Sequence, residues 1–342
     1  MRVLDFSRAL AGPLCARLLG EGGMEVWKIE DPTHPDLART WGPFSDSGES
    51  LYYWGLNFNK TLVTTQLDTL KGREQIRKWV READVVIDNF RSSTREHLGL
   101  SYERLTEANP RLIMASFQAY HTASERPGLD ITLQAHMGFT RRTADDVPQR
   151  VAVPAIDIVT GMQGAIGILQ ALTRRNDTGS GDHLVFSLET SSLLLLNHLA
   201  TASLNACLIN APDPMMNPVI VPNGLFETGD GWMALCTPSN ESFRRLCHVL
   251  RLDDMALKYL DSTARLNHAQ DVTTSIKERL KTQSAQSWVT ELKRVGVVAE
   301  LVRSLEDIVW ENYADLIVTD PVGHRVLKTS LSNRVIDAEV KR

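Results

Sequence analysis

The sequence predicts an α/β protein: a large Rossmann-like domain on a parallel sheet, followed by a smaller α+β domain. Three observations carry that reading. Short apolar strand patterns alternate with helix-length segments through the first half of the chain. The strand Leu112 to Ser116 is nearly uniform in apolar character, as a strand covered on both faces must be. Finally, 342 residues, 43% hydrophobic and 23% charged, suffice to fill two separate cores.

The elements follow in order. Arg2-Val3-Leu4-Asp5-Phe6 is a short strand that passes through the small-residue turn Ala9-Leu10-Ala11-Gly12-Pro13 into a helix, ended by Gly20-Glu21-Gly22-Gly23. Val26 to Glu30 is a second strand and Leu62 to Gln66 a third. The helix after it presents Ile76, Trp79, Val80 and Ala83 on one face. Val85-Val86-Ile87 returns as a strand, and Asn109-Pro110 closes a further helix before Leu112 to Ser116. A helix from about Asp157 to Leu172, carrying Ile158, Met162, Ala165, Ile166, Leu169 and Leu172, stops at Asn176-Asp177-Thr178-Gly179. Leu184-Val185-Phe186 adds a strand, and a long buried helix is expected from about Leu188 to Leu208. The predicted large domain is 1–210, the linker 211–224, the small domain 225–305, and 306–342 a C-terminal return segment. Leu225 to Trp232 has the alternation and Gly/Asp turn of a hairpin. Parallel sheets bind ligands at the carboxyl ends of their strands. The loops Ser7 to Gly12, Glu30 to Thr33, Asp88 to Arg91 and Phe117 to Leu129 are therefore expected around one cleft.

Composition narrows the function. Lys plus Arg number 37 against 42 Asp plus Glu, a formal charge of -5, so the surface is not built to neutralise nucleic acid or an anionic membrane. Cys15, Cys207, Cys236 and Cys247 contain no C-x-x-C pair, which suits a reducing, cytoplasmic location. Met1 to Phe6 run into a strand pattern without the zones of a secretory signal. The apolar stretch Val185 to Ile209 is interrupted by Glu189, Asn197 and His198 short of a membrane span. No G-x-G-x-x-G joins the first strand to its helix, which argues against nicotinamide chemistry. A P-loop, a G-x-S-x-G elbow and an H-E-x-x-H motif are likewise missing, and the nine histidines form no metal-ligand spacing.

Two acids stand out. The plain reading of Asp157 is a helix N-cap. Its chemical reading uses the same physics, because a carboxylate kept ionised at the positive end of a helix dipole can attack an activated carbonyl. Asp130 is a second candidate, with capping of a helix beginning near Ile131 as its alternative. Asn89 offers its amide to a ligand or closes an Asx-turn. Glu30, at the end of the second strand, holds a ribose hydroxyl or is simply solvated.

The opening from Arg2 to Pro13 and the segment Glu25-Val26-Trp27-Lys28-Ile29-Glu30 resemble the start of the class III CoA transferases, the family of formyl-CoA transferase and carnitine CoA-transferase. Leu56 to Lys60, Ala83 to Arg91, Asn109 to Ile113, Pro154 to Leu169 and Phe226 to Gly231 agree with that family in order and spacing, to about Arg325. The resemblance implies a homodimer of interlocked rings, with coenzyme A as acyl-CoA substrate in the cleft of the large domain and neither metal nor NAD. It implies that Asp157 attacks an acyl-CoA thioester, giving an acyl anhydride and then an aspartyl-CoA thioester that a carboxylic acid acceptor resolves. Backbone amides at Ala9, Leu10 and Ala11 match the positions that stabilise the oxyanion. Thr65, Asn89, Arg91, His97, Leu98 and Leu129 match positions beside CoA. Asp31 and His97 stand where arginines for the nucleotide phosphates are expected, with Arg126, Arg141 or Arg142 as substitutes. The related α-methylacyl-CoA racemases carry a histidine at the position of Leu129, so a two-base racemase would need His121 or His136 here. A non-catalytic homologue that binds a CoA ester is the reading from another class.

Overall fold

The first strand, β1 (Arg2–Asp5), feeds α1 (Ala11–Glu21), and the chain returns through β2 (Glu25–Glu30), α2 (Leu51–Asn57) and β3 (Thr61–Thr64). It crosses by α3 (Leu70–Glu82) to β4 (Val85–Asp88), then passes α4 (Ser92–Leu98) and α5 (Tyr102–Thr106) to β5 (Ile113–Gln118). After α6 (Asp130–His136) come the paired segments β6 (Arg141–Arg142) and β7 (Pro148–Gln149), α7 (Ala155–Thr178) and β8 (Asp182–Ser187). This description comes from a computed structural model and covers residues 1–122, 125–142, 147–205, 215–319 and 323–328.

Six strands form one parallel sheet in the order β3-β2-β1-β4-β5-β8. The order reverses between β1 and β4, the switch point at which an open α/β sheet leaves a crevice beyond its carboxyl edge. Successive side chains point to opposite faces. Val3, Ile87, Ile113 and Ala115 therefore join the core that α1 and α7 complete, whereas Leu4, Val86 and Met114 join Ile76 and Val80 of α3. Burial on both faces is why these strands read as apolar runs.

α7 is, by length and composition, the one described helix apolar enough to cross a membrane. It packs in the core through small residues: a Cβ on Gly161 would stand 2.6 Å from the Ala11 carbonyl oxygen, and one on Gly164 would meet Phe117. Its buried stripe includes Ile156, Thr160, Gly161, Gly164, Ala165 and Ile168. Met162, Ile166 and Leu169 of the predicted helix lie instead on the outer side, 40%, 54% and 48% exposed. The long buried helix expected from Leu188 to Leu208 is also corrected. It is two short helices, α8 (Leu188–Leu195) and α9 (Asn197–Leu204), with only Leu188, Ser191 and Ser192 buried among their residues. Composition alone suggests burial, but the leucines Leu193 and Leu194 face outward.

The chain divides into two compact units, one made of Met1–Thr140, Arg150–Asn197 and Glu311–Arg342, the other of Arg141–Gln149 and His198–Trp310. In the second unit β9 (Asn223–Glu227) and β10 (Trp232–Cys236) form the expected hairpin, with β11 (Val298–Leu301) antiparallel to β10. Helices α10 (Asn240–Leu250), α11 (Asp253–Lys258), α12 (Ser262–Asn267), α13 (Ala269–Leu280) and α14 (Ala285–Arg294) complete it, around a core that includes Phe226, Phe243 and Trp288. Cys207 and the first part of the expected linker, within 206–214, lie outside the described residues.

Candidate active site

At the switch point the turn after β1 is gripped along its backbone. Buried Asp5 accepts hydrogen bonds from the Ser7 N–H at 3.0 Å and from the Ser7 hydroxyl. Lys28 Nζ donates to the Ser7 carbonyl. The Asn89 side chain, from the loop after β4, accepts from the Arg8 N–H at 3.0 Å and donates to the Arg8 carbonyl at 2.8 Å. Asp36 accepts from the Ala9 N–H at 3.1 Å. Ala9 is held at φ 66°, in the left-handed region, a conformation that costs a residue with a Cβ about 1 kcal/mol. Gly12 is required because the Ser7 side chain fills the space a Cβ would need.

α1 then begins with Leu10 at its N-cap, a residue with no side-chain oxygen to satisfy the first amides. Among the described residues the Leu10 and Ala11 N–H groups have no acceptor. The three-amide expectation is thus corrected: the Ala9 amide is spent on Asp36, and Leu10 and Ala11 remain open.

α7 also starts without a cap of its own, with Pro154 in that position. The cap arrives from α6. Asp130 Oδ2 accepts from the Ile156 N–H at 2.9 Å and the Asp157 N–H at 3.2 Å, while its Oδ1 accepts from Gln134 Nε2. Gln134 Oε1 accepts in turn from the Val151 N–H at 2.9 Å. Two sequence readings are overturned together. Asp157 is not the cap of α7, because it lies inside the first turn, and Asp130 caps α7 rather than its own helix, which Leu129 precedes. The Asp157 carboxylate is left without a hydrogen-bond partner among the described residues. Burial, and after it the charge of Asp130, push its pKa up to about 7. Gly161, one turn later on the same helix face, is the residue whose α-carbon lies against the Ala11 carbonyl. The unpaired carboxylate and the open amides therefore belong to two helix heads in direct contact.

Two neighbours escaped sequence analysis. Tyr52 is half-buried; burial and the charges of Asp157, Asp130 and Asp36 push its pKa up to about 12, so its hydroxyl stays protonated. Trp41 meets it edge-on, with ring centroids 5.4 Å apart. Asp36 is the other. The available signal was position: the aromatic run Tyr52-Tyr53-Trp54 lies one residue, Gly55, before Leu56 to Lys60.

The remaining predicted residues separate into groups. Thr65 follows β3, its amide bonded to the Glu30 carbonyl at 3.0 Å. Arg91 and His97 are exposed at the start and last turn of α4, and the His97 carbonyl accepts from Arg73 Nη2 at 2.7 Å. Leu129 is 58% exposed beside Asp130, whereas Leu98 is 8% exposed and packs into the core on the α3 side. Asn89 does not close an Asx-turn: its Oδ1 accepts from the Arg8 N–H and its Nδ2 donates one hydrogen to the Arg8 carbonyl, the second having no acceptor among the described residues. Glu30 is not free for a ribose: it accepts from Arg39 Nε at 2.9 Å and from the Tyr53 hydroxyl. Asp31 is buried, which opposes ionisation, but hydrogen bonds from Thr33 and the Leu67 N–H outweigh that and hold its pKa below the usual value. It ties two loops together. Arg126 lies over the Tyr120 ring at 4.2 Å, and the side chains of Arg141 and Arg142 are outside the description. His136 Nε2 pairs with Glu189 at 3.4 Å, and the neighbouring His121 is exposed. Among the described residues no cluster of His, Cys, Asp and Glu is arranged to hold a metal ion.

Comparison with known proteins adds an independent line. Residues 1–316 match CoA-transferase family III. The chain is 31% identical over 325 residues to a succinate–glutarate CoA-transferase of Agrobacterium fabrum, across 90% of this chain and 80% of that protein. It is 28% identical over 315 residues to human succinyl-CoA:glutarate CoA-transferase, across 90% and 72%, and 29% identical over 308 residues to an acetyl-CoA:oxalate CoA-transferase of Acetobacter aceti, across 86% and 78%. Among solved structures, a CAIB/BAIF family protein from Brucella suis has a TM-score of 0.82 at 29% identity, across 98% of this chain and 92% of that one. Rv3272 from Mycobacterium tuberculosis has a TM-score of 0.85 at 26% identity, across 96% and 91%.

Proposed function

The chain belongs to CoA-transferase family III and is an enzyme of CoA transfer; on that premise we propose that it moves CoA from an acyl-CoA to an acceptor carboxylate through covalent intermediates on Asp157. The observation that carries the reading is an acid at a helix head, partly buried, without a hydrogen-bond partner and with its pKa pushed up to about 7. A desolvated carboxylate is a stronger nucleophile than a solvated one, and acylation removes its charge. Burial and Asp130, which disfavour the anion, therefore favour the acylated state.

One Asp157 oxygen attacks the thioester carbonyl, the tetrahedral intermediate collapses, and CoA leaves as the thiolate. That thiolate attacks the Asp157 carbonyl of the anhydride, expelling the donor acid and leaving an aspartyl-CoA thioester. The acceptor carboxylate attacks this thioester, and the released thiolate then takes the acceptor acyl group, restoring the Asp157 carboxylate. The open Leu10 and Ala11 amides supply donors for each oxyanion. Thr65, Asn89, Arg91, His97, Leu98 and Leu129 are the predicted CoA contacts. The relatives' names are those of dicarboxylate transferases, so succinyl-CoA with glutarate or oxalate is the substrate class we assign. The same reading includes a homodimer, supported by the exposed apolar residues Met162, Ile166, Leu169, Val185, Leu193 and Leu194.

The test is to incubate the protein with succinyl-CoA and each acceptor, trap with hydroxylamine and locate the adduct by mass spectrometry. A hydroxamate at Asp157, lost in Asp157→Asn, is expected together with product CoA ester. Exchange of the α-proton without an acceptor would mean racemase chemistry, and an adduct elsewhere would remove Asp157 from its role. Light scattering that finds a stable monomer would overturn the dimer.

A further inference from the structure

Under the turn after β1 lies a cluster of buried charge that the mechanism above does not use. Lys28, Lys60, Asp5 and Asp36 each have side chains no more than 1% exposed. Lys60 Nζ donates at 2.8 Å to Asp5 Oδ2, to the Pro13 carbonyl and to Asn57 Oδ1. Lys28 Nζ lies 4.0 Å from Asp5 Oδ2, donates to Asp36 Oδ2 at 3.3 Å and caps the Ser7 carbonyl. Two cations and two anions balance, as buried charges must. Asp36 is the member that reaches the working turn, accepting from the Ala9 N–H at 3.1 Å and 3.3 Å and from the Ala38 N–H at 3.0 Å.

We propose that Asp36 is a positioning residue for CoA transfer: anchored by Lys28, it holds Ala9 in the left-handed conformation and thereby keeps the Leu10 and Ala11 amides open at the head of α1. The inference rests on the oxyanion role given to those amides above. Its logic is steric. An alanine returns to negative φ unless something holds it at 66°, and that rotation would reorient the peptide plane that carries the Leu10 N–H. The held group is the Ala9 amide, the first donor after the Arg8 peptide that Asn89 clamps. Asp36 itself needs no contact with a reacting atom.

The experiment measures succinyl-CoA turnover with glutarate and the rate of hydroxylamine-trapped adduct formation in the full chain. Asp36→Asn is expected to lower kcat and the trapping rate about 100-fold, the usual loss for a misplaced oxyanion donor, while KM for succinyl-CoA changes less than about threefold. Adding Ala9→Gly to that variant is expected to recover about tenfold, because glycine adopts positive φ without the Cβ penalty that alanine carries there. Ala9→Val, with Asp36 intact, is expected to lose about 100-fold, since a β-branched residue is strained there. An unchanged kcat in Asp36→Asn, or a loss that glycine does not recover, overturns the proposal. Should Asp36→Asn fail to fold, Ala9→Val decides: full activity overturns it. A wild-type protein that forms no Asp157 adduct sinks the underlying reading as well, whereas an adduct formed at the wild-type rate in Asp36→Asn sinks this inference alone.

Discussion

Two helices begin at this site, and they begin differently. α1 and α7 each place a residue without a capping oxygen at the N-cap, Leu10 and Pro154. The head of α7 is closed from outside by Asp130, whereas the Leu10 and Ala11 amides at the head of α1 stay open. A carboxylate in the first turn is normally stabilised by the helix dipole and the free amides around it. At α7 those amides are already committed to another anion, so Asp157 gains little from its position and is left repelled and desolvated. At α1 the amides keep their capacity and await negative charge. On the mechanism proposed above, one head destabilises a charge before reaction and the other receives one during it.

Several experiments break or sharpen that contrast. Asp157→Asn removes the nucleophile we propose and is expected to abolish transfer by about 10⁴-fold or more, measured as product CoA ester by chromatography. Asp130→Asn tests the closed head: the amide oxygen still accepts a hydrogen bond but the charge is gone. Transfer is expected to fall about 10- to 100-fold, and the pH midpoint of kcat/KM to move down from about 7 toward the ordinary carboxylate range. A midpoint that stays in place would deny Asp130 its electrostatic part. Gly161→Ala tests the contact between the heads, because its Cβ would stand 2.6 Å from the Ala11 carbonyl oxygen. Overpacking against backbone is expected to cost about 1–3 kcal/mol in chemical denaturation and to lower transfer.

The pH profile of the wild type is a smaller test. On the proposed mechanism only ionised Asp157 attacks, so kcat/KM is expected to rise with pH and level off above about 7, with a value near pH 6 about tenfold below the plateau. Stability runs the other way. A carboxyl whose folded pKa lies above its unfolded one stabilises the protein fully at low pH and loses that contribution as pH rises through about 7. Asp157→Asn is therefore expected to be more stable than wild type at pH 8 by ~1–3 kcal/mol, with the difference fading near pH 4. Equal melting at both pH values would mean that Asp157 is solvated and the contrast between the heads is weaker than drawn.

Much of this architecture was legible in the residues. Val3, Ile87 and Ala115 alternate with Leu4, Val86 and Met114 because each strand divides its side chains between two covered faces. The start of α7 and the turn after β1 carry Pro, Gly and small-residue signals that act over a few residues. Glu30, Asp31 and Asn89 were harder to read, since a polar residue at a strand end looks the same whether it meets a ligand or the next loop. In this protein their partners are Arg39 and Tyr53, Thr33 and Leu67, and the Arg8 peptide. The leucines after β8 misled for a related reason: composition measures how apolar a segment is and says nothing of which side is covered.

By itself, then, the amino-acid order determined the parallel strands, the turn at Ala9 to Pro13 and an acid near the start of a long helix, because those patterns depend on neighbours within a few residues. Only the tertiary structure decided that Asp130 rather than Asp157 closes that helix, that the Ala9 amide is taken by Asp36, and that the Leu10 and Ala11 amides remain open. Capping, burial and charge repulsion act through distances between groups far apart along the chain, and those distances exist only once the sheet and its helices have packed.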